Sequence, residues 1–257
     1  MNVAIVTARA GSKSILNKNV YDVLGKPMVY YPIKAAQDAI KIDAVFVSTD
    51  GKEIAEASRA LGATVIERPD ELGGDHINHG DVIKHATQWV DANVENLENV
   101  VLLLGNTVMI DGPTIDTALQ LLDDHPELDS CMTVWEAADD HPLRAMEITQ
   151  DGLLEPYGDK ERKVSTERQS YQKAYYYDQG VWVYRKYTVN AQDGPNPWWW
   201  MGKKSAPIIR PWVTGRDVHT LFDMGVAEWW VKHPEEVADR LSKSKPVLPE
   251  SLDRYKK

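Results

Sequence analysis

The feature that most constrains this chain is a rhythm of short apolar runs alternating with stretches of helical spacing. The runs "NVAIV" (residues 2–6), "AVFVSTD" (44–50), "ATVIERP" (63–69), "NVVLLLGN" (99–106) and "DSCMTVWEA" (129–137) have the length and β-branched content of buried strands. Between them, residues 28–40, 51–62, 79–90 and 113–124 carry apolar residues at helical spacing. The first of these puts Met28, Ile33, Ala36 and Ile40 on one face, with Pro32 fraying or kinking the first turn; the second is closed by Gly62, and the fourth starts near Pro113. Strand–helix alternation of this kind predicts an α/β fold with a mostly parallel, doubly wound sheet covered on both faces. Ligands of such sheets sit at the carboxyl ends of the strands. The candidates are therefore residues 7–19, 48–50, 68–75 and 105–111.

The rhythm weakens after about Ala137. Residues 137–180 read as an inserted, partly β subdomain with a charged middle, containing the strand-like "AMEIT" and running into "VWVYRK". "NAQDGPNPWWWMG" reads as a loop, "SAPIIRPWV" as a returning strand, and residues 220–241 as one helix or two separated at Pro234.

Composition narrows the partners. A net charge of -10 argues against nucleic acid and membrane surfaces, which select a basic excess. No stretch is long and apolar enough to span a bilayer, and Arg9 and Lys13 interrupt any signal-like apolar region. The single cysteine, Cys131, permits no internal disulfide and no cysteine zinc cluster; the pattern fits the cytoplasm, with Cys131 as a buried small hydrophobe. His76, His79 and His85 are poorly spaced for a common zinc face, and "ADDHP" (138–142) reads as a turn with a cap.

Against that acidic background the loop "VTARAGSKSILNKN" (6–19) is basic. A small-residue loop after a strand can wrap backbone N–H groups around phosphate oxygens while Arg9, Lys13 and Lys18 neutralise them. It has neither the Walker pattern nor G-x-G-x-x-G, since Gly11 is its only glycine. On composition alone, a solvated basic turn is an equal alternative.

The order of residues adds more. A-R-x-G-S-K, then K-N, then "LGKPMVYYPI", resembles the start of the CMP-sialic acid synthetases (N-acylneuraminate cytidylyltransferases), in the CMP-sugar nucleotidyltransferase group. "VFVSTDGKEIAEASRALGATVIERPDELGGD" resembles that family's second block, "DQGVWVYRK" its N-G-A-I-Y-I strand, and "MGKKSAPIIRP" with "GRDVHTLFD" its last blocks. The resemblance covers most of the chain, densely over the first 80 or so residues.

It implies a Rossmann-like nucleotidyltransferase, here a single domain over 1–257, that moves CMP from CTP to a small-molecule acceptor with Mg²⁺ (or Mn²⁺) and releases pyrophosphate. It implies that Arg9, Gly11, Ser12, Lys13 and Lys18 hold the triphosphate, with Lys18 nearest the developing charge, and that Asn19 fixes the loop or contacts the nucleotide. Arg68 helps hold CTP, and His79, Gly80 and Asp81 lie where the family reads cytosine. The acceptor, a sugar acid of the nonulosonate type, would meet Asn106, Thr107, Tyr177 and Gln179, while Arg168 and Gln169 would be carried into the partner's site by the inserted segment of a homodimer.

Two departures stand out. "GNTVMID" (105–111) replaces the family's Q-P-T-S-P-L-R, keeping only Thr107, with Asn106 near an aspartate of the CMP-Kdo branch. The D-I-D metal pair reads Asp217-Val218-His219, which leaves Asp217 as the one metal carboxylate and His219 free to touch the acceptor or tune the metal. Asp223 reads as a helix cap. These departures keep alive a different acceptor, phosphorylated or phosphonate, or a non-catalytic nucleotide-binding relative. Trp198, Trp199 and Trp200 read as a buried loop or subunit contact ahead of an acceptor wall.

Overall fold

The structure, a computed structural model, describes residues 1–12, 14–74, 76–159, 172–211 and 216–246. β1 (Asn2–Thr7) is followed by a small ladder, β2 (Asp22–Val23) with β3 (Lys26–Pro27), and helix α1 (Tyr30–Asp38). β4 (Ala44–Thr49), α2 (Lys52–Ala60), β5 (Thr64–Glu67), α3 (His79–Asn93), β6 (Asn99–Leu104), α4 (Gly112–Asp124) and β7 (Ser130–Glu136) keep the expected alternation. A hairpin of β8 (Met146–Ile148) and β9 (Leu154–Pro156) precedes β10 (Tyr175–Arg185) and α5 (Thr188–Ala191). β11 (Ser205–Ile209), α6 (Leu221–Lys232), α7 (Pro234–Leu241) and β12 (Lys245–Pro246) complete the described chain.

One eight-stranded sheet runs in the order β12-β11-β7-β10-β6-β1-β4-β5. β1 is parallel to both β4 and β6, β4 to β5, and β11 to β7. Only β10 and β12 run against their neighbours. The strand residues alternate between two cores, as a pleat requires. Ala4, Val6, Val101 and Leu103 pack with Ile33 of α1, Ile54 of α2 and Ile115 of α4. Val3, Ile5, Val100 and Leu102 pack with Ile83, Ala86 and Val90 of α3 on the other face. Burial on both faces is why these strands read as unbroken apolar runs.

Two details differ from the sequence reading. Ile40 is 93% exposed, because the helix stops at Asp38 and the amides of Ile40 and Lys41 donate to the Asp116 carboxylate at 3.0 and 2.8 Å. "VWVYRK" belongs to β10, a central strand of the main sheet, so the chain rejoins that sheet at Tyr175, ahead of the expected boundary near 180. Three further expectations hold. Gly62 takes φ 81° after α2, two helices meet at Pro234, and Cys131 is fully buried, which pushes its thiol far above the ordinary range.

An ion pair locks the β10–β11 region. Arg210 Nη1 lies 3.3 Å from Asp178 Oδ2, both side chains without exposed surface, and Arg210 Nη2 donates to the Met109 carbonyl at 2.8 Å. Asp178 also accepts from the Thr133 hydroxyl and from the Gly180 amide, where β10 shifts register between Tyr177 and Trp182. A Cβ on Gly180 would stand 2.2 Å from Arg210 Nη1, so only glycine lets the guanidinium through. Removing one member leaves the other charge buried and unpaired. Arg210→Met is expected to lower the unfolding free energy by about 3–5 kcal/mol in a urea titration, and adding Asp178→Asn should recover part of that loss.

Candidate active site

The site lies where β1, β4 and β6 end together. The loop leaving β1 is tied down by backbone and side-chain bonds: Ala8 N to Ser48 O at 3.0 Å, Ala10 N to Asp50 Oδ1 at 2.8 Å, and Asn19 Nδ2 to Arg9 O at 2.8 Å. Asn19 is buried, so it fixes the loop rather than lying open to solvent. The loop closes in a 3-10 turn, Lys18–Val20, entered through Asn17 at φ 49°, and Asn17 Nδ2 donates to Glu53 Oε2 at 3.2 Å. Gly11, at φ 69°, supplies a left-handed turn. Gly105 is pressed against the same loop: a Cβ there would come within 2.7 Å of the Ala8 side chain and 3.0 Å of Asn19 Oδ1.

These contacts frame a cavity of about 460 Å³. Arg9, Ser12, Lys18 and Arg68 line it, with His79, Asn106, Asp217 and His219. Burial lowers the Lys18 pKa; the Asp217 carboxylate opposes that shift and Arg9 adds to it. Arg68 is buried, donates from Nη2 to Ser48 O at 3.0 Å, and holds an Nε with no hydrogen-bond partner among the described residues. Burial lowers its pKa too, while Asp50 pulls the other way. A buried Arg68 with an unmet donor, beside a partly desolvated Lys18, gives this cavity chemistry suited to an anion.

His79 is the first residue of α3, and its Nε2 lies 2.9 Å from Thr7 Oγ1. Burial, with Arg68 as the smaller cause, pushes the imidazole down to about 4, so it is neutral near pH 7. Asn78 caps the helix by accepting from Gly80 N at 2.8 Å. Gly80 itself does not line the cavity among the described residues: a Cβ there would meet the Trp199 ring at 2.7 Å. Trp199 and the buried Trp200 pack edge-to-face at 5.7 Å, and Trp200 stands 6.3 Å from His79. Trp199 and Trp200 therefore buttress the start of α3, whereas Trp198 packs edge-to-face on Tyr177 at 4.3 Å.

Across the cavity, residues 216–219 belong to neither helix nor strand. Asn106 clamps them: its Nδ2 donates to Asp217 Oδ2 at 2.8 Å and Val218 O at 3.1 Å, and its carbonyl accepts from Val218 N at 2.9 Å. His219 Nε2 lies 3.0 Å from Asp217 Oδ2, so the pair does project together. Asp223 caps α6 through a reciprocal bond with Thr220. Burial works to raise its pKa, but donors from Thr220, His219 and Arg216 outweigh that and hold it at about 2.

A second cavity, about 270 Å³, adjoins the first and shares Asp217 and His219. Trp135, Tyr176, Tyr177, Gln179 and Arg216 form its walls. The expected acceptor contacts Tyr177, Gln179 and His219 are thus brought together. Thr107 is not: it is fully buried and donates its hydroxyl to the Gln179 carbonyl at 3.0 Å, so it positions Gln179 instead. Lys13, Arg168 and Gln169 lie outside the described residues, as does Asp75. The sequence reading passed over Asp178, Arg210 and Arg216, while Asp50 and Gly105 fell within its strand-end candidates 48–50 and 105–111 without a role of their own. Their signal was position alone, each lying just after a buried apolar run.

With this geometry in hand, residues 3–189 match the family model described as cytidylyltransferase. The chain belongs to the cytidylyltransferase family. An N-acylneuraminate cytidylyltransferase of Escherichia coli O18:K1:H7 is 37% identical over 33% of this chain and 20% of its own length. A pseudaminic acid cytidylyltransferase of Campylobacter jejuni serotype O:2 is 29% identical over 46% of this chain and 52% of its own. The matches thus span from one fifth to about half the length of these curated relatives. The fold is shared with a CMP:2-keto-3-deoxy-manno-octonic acid synthetase complexed with CTP, at a TM-score of 0.67 and 17% identity, over 91% of this chain and 99% of that one. Within the cytidylyltransferase frame, the basic loop after β1 and the pair Asp217–His219 face each other across one cavity.

The depressed His79 pKa makes a stability prediction. Unfolded, the imidazole protonates near 6.5; folded, only near 4. The unfolded state therefore binds the extra proton first, and stability falls as pH drops from about 6.5 towards 4. Urea midpoints of His79→Gln should fall less over that window than those of the parent protein. Parallel curves would show that His79 does not carry the effect.

Proposed function

We propose that the chain transfers CMP from CTP to a hydroxyl of a nonulosonate-type 2-keto sugar acid and releases pyrophosphate. The observation that carries this is one cavity with cations on one wall, Asp217 on the other, and an aromatic-walled pocket continuing beyond Asp217 and His219. A triphosphate suits the first compartment and a sugar ring the second. The named activities of the N-acylneuraminate and pseudaminic acid relatives support the same donor and acceptor class.

In this reading the acceptor oxygen attacks the α-phosphorus, the new P–O bond forms, and the bond to the β-phosphate oxygen breaks. The hydroxyl proton passes to solvent and pyrophosphate departs. Arg9, Ser12 and Arg68 hold the phosphates, and Lys18 meets the charge that develops on the leaving oxygens. Lys18 is held below its ordinary pKa by burial, yet Asp217 keeps a counter-charge facing it. Neutral His79 at the start of α3 lies where a pyrimidine edge would be read.

The donor set at Asp217 fits Mg²⁺. That ion binds through one or two carboxylates and fills its shell with water and substrate phosphate oxygens, and Asp217 supplies one carboxylate beside the phosphate cavity. The neighbouring imidazole of His219 also suits Mn²⁺. Bound there, the ion would neutralise triphosphate charge. A homodimer is part of the proposal: Ile148 and Leu154, in the β8–β9 hairpin, are 75% and 67% exposed, and an isolated two-stranded hairpin is marginal in water. A cytoplasmic location, where CTP is at hand, is also part of the proposal; no helix among the described residues is long and apolar enough to cross a membrane.

The test is pyrophosphate release from CTP and Mg²⁺ with a panel of sugar acids and phosphorylated acceptors. Release that requires a sugar acid is expected; CTP binding without release from any acceptor would favour a nucleotide-sensing relative instead. Lys18→Ala should slow release by about 10²–10³-fold while leaving the urea midpoint within error. An unchanged rate would remove Lys18 from the chemistry.

A further inference from the structure

The aromatic-walled pocket contains a cation with no assigned role. Arg216 directly precedes Asp217, and its side chain is half exposed in that pocket. Its Nε and Nη2 both donate to Asp223 Oδ1, at 3.2 and 3.0 Å. Asp223 is in turn fixed by the amides of His219 and Thr220, at 3.1 and 2.8 Å. The guanidinium is therefore pinned along one edge, while Nη1 has no hydrogen-bond partner among the described residues. A pinned, planar, permanently charged donor needs little ordering to bind a carboxylate.

We propose that Arg216 holds the acceptor's carboxylate and makes the enzyme selective for sugar acids over neutral sugars. The inference rests on the cytidylyl-transfer reading and deepens it. Its chemical basis is the acceptor itself: in the cyclic form of a 2-keto sugar acid, the reacting hydroxyl and the carboxylate share one carbon. A hydroxyl poised beside Asp217 and His219 must then carry its carboxylate within one or two bonds of that point. Arg216 is the lysine-or-arginine cation among the described lining residues of that pocket. Tyr177, Trp135 and Tyr176 supply flat surfaces for the ring, with Tyr176 fixed by its hydroxyl on the Asp140 carbonyl at 2.7 Å. The Asp217 carboxylate, engaged by Asn106 and His219, is turned towards those donors.

The experiment compares an N-acylneuraminic acid with its C1 carboxamide in the parent protein, Arg216→Lys and Arg216→Met. Pyrophosphate release is measured at varied acceptor and varied CTP. The parent should prefer the acid over the amide by about 10–100-fold in kcat/KM, the range expected when one charge-assisted contact is lost. Arg216→Met should lose most of that preference through KM for the acid, with KM for CTP unchanged, and Arg216→Lys should retain part of it. A purely structural role would penalise acid and amide equally, and that result overturns the inference. An acid preference that survives in Arg216→Met does the same. If the parent releases no pyrophosphate with any sugar acid, the cytidylyl-transfer reading falls and this inference with it. A methionine variant that fails to fold leaves the lysine variant and the parent's acid-over-amide ratio to decide; no preference in the parent overturns the proposal.

Discussion

Everything at the site depends on β1 lying between two parallel neighbours. Because β4 and β6 run in the same direction as β1, all three release their chains at one edge. Ala8 can then bond back to Ser48, Ala10 to Asp50, and Gly105 to Thr7. The basic loop is held on both sides before any ligand arrives. Preorganisation of this kind matters for a site that works by holding charge, since donors that are already in place need not reorganise as charge develops.

The second constraint is long-range in sequence. Asn106, at the end of β6, clamps Asp217 more than a hundred residues away, and Asp223 ties Arg216, His219 and Thr220 into one turn. This gives the two unusual stretches, "GNTVMID" and "RDVH", a common physical meaning. A carboxylate at position 106 would face that of Asp217 and repel it; an amide donates to it instead. The neutral Asn106 and the imidazole at His219 both address the same oxygen, Asp217 Oδ2.

The sheet was legible because double burial writes itself as uninterrupted apolar runs, and one wall of the cavity was legible because its residues are local: Arg9, Ser12 and Lys18 sit on one loop directly after a strand. The other half of the site was harder. Arg210 in "PIIRP" and Asp178 in "YYYDQG" look like solvated charges, yet they neutralise each other inside the sheet. Thr107 and Gly80 sit at site-like positions, but one is spent on the Gln179 carbonyl and the other on Trp199. Ile40 fits a helical stripe that the Asp116 carboxylate cuts short. In each case a partner 30 or more residues distant decides the role, and periodicity along the chain carries no information about it.

The central claim is that the cavity between Lys18 and Asp217 is a CTP site. A crystal structure of the protein soaked with CTP tests it directly. The triphosphate should lie against Arg9, Ser12 and Lys18, with the base towards His79. Nucleotide bound outside this cavity, or an empty cavity at saturating CTP, would contradict it.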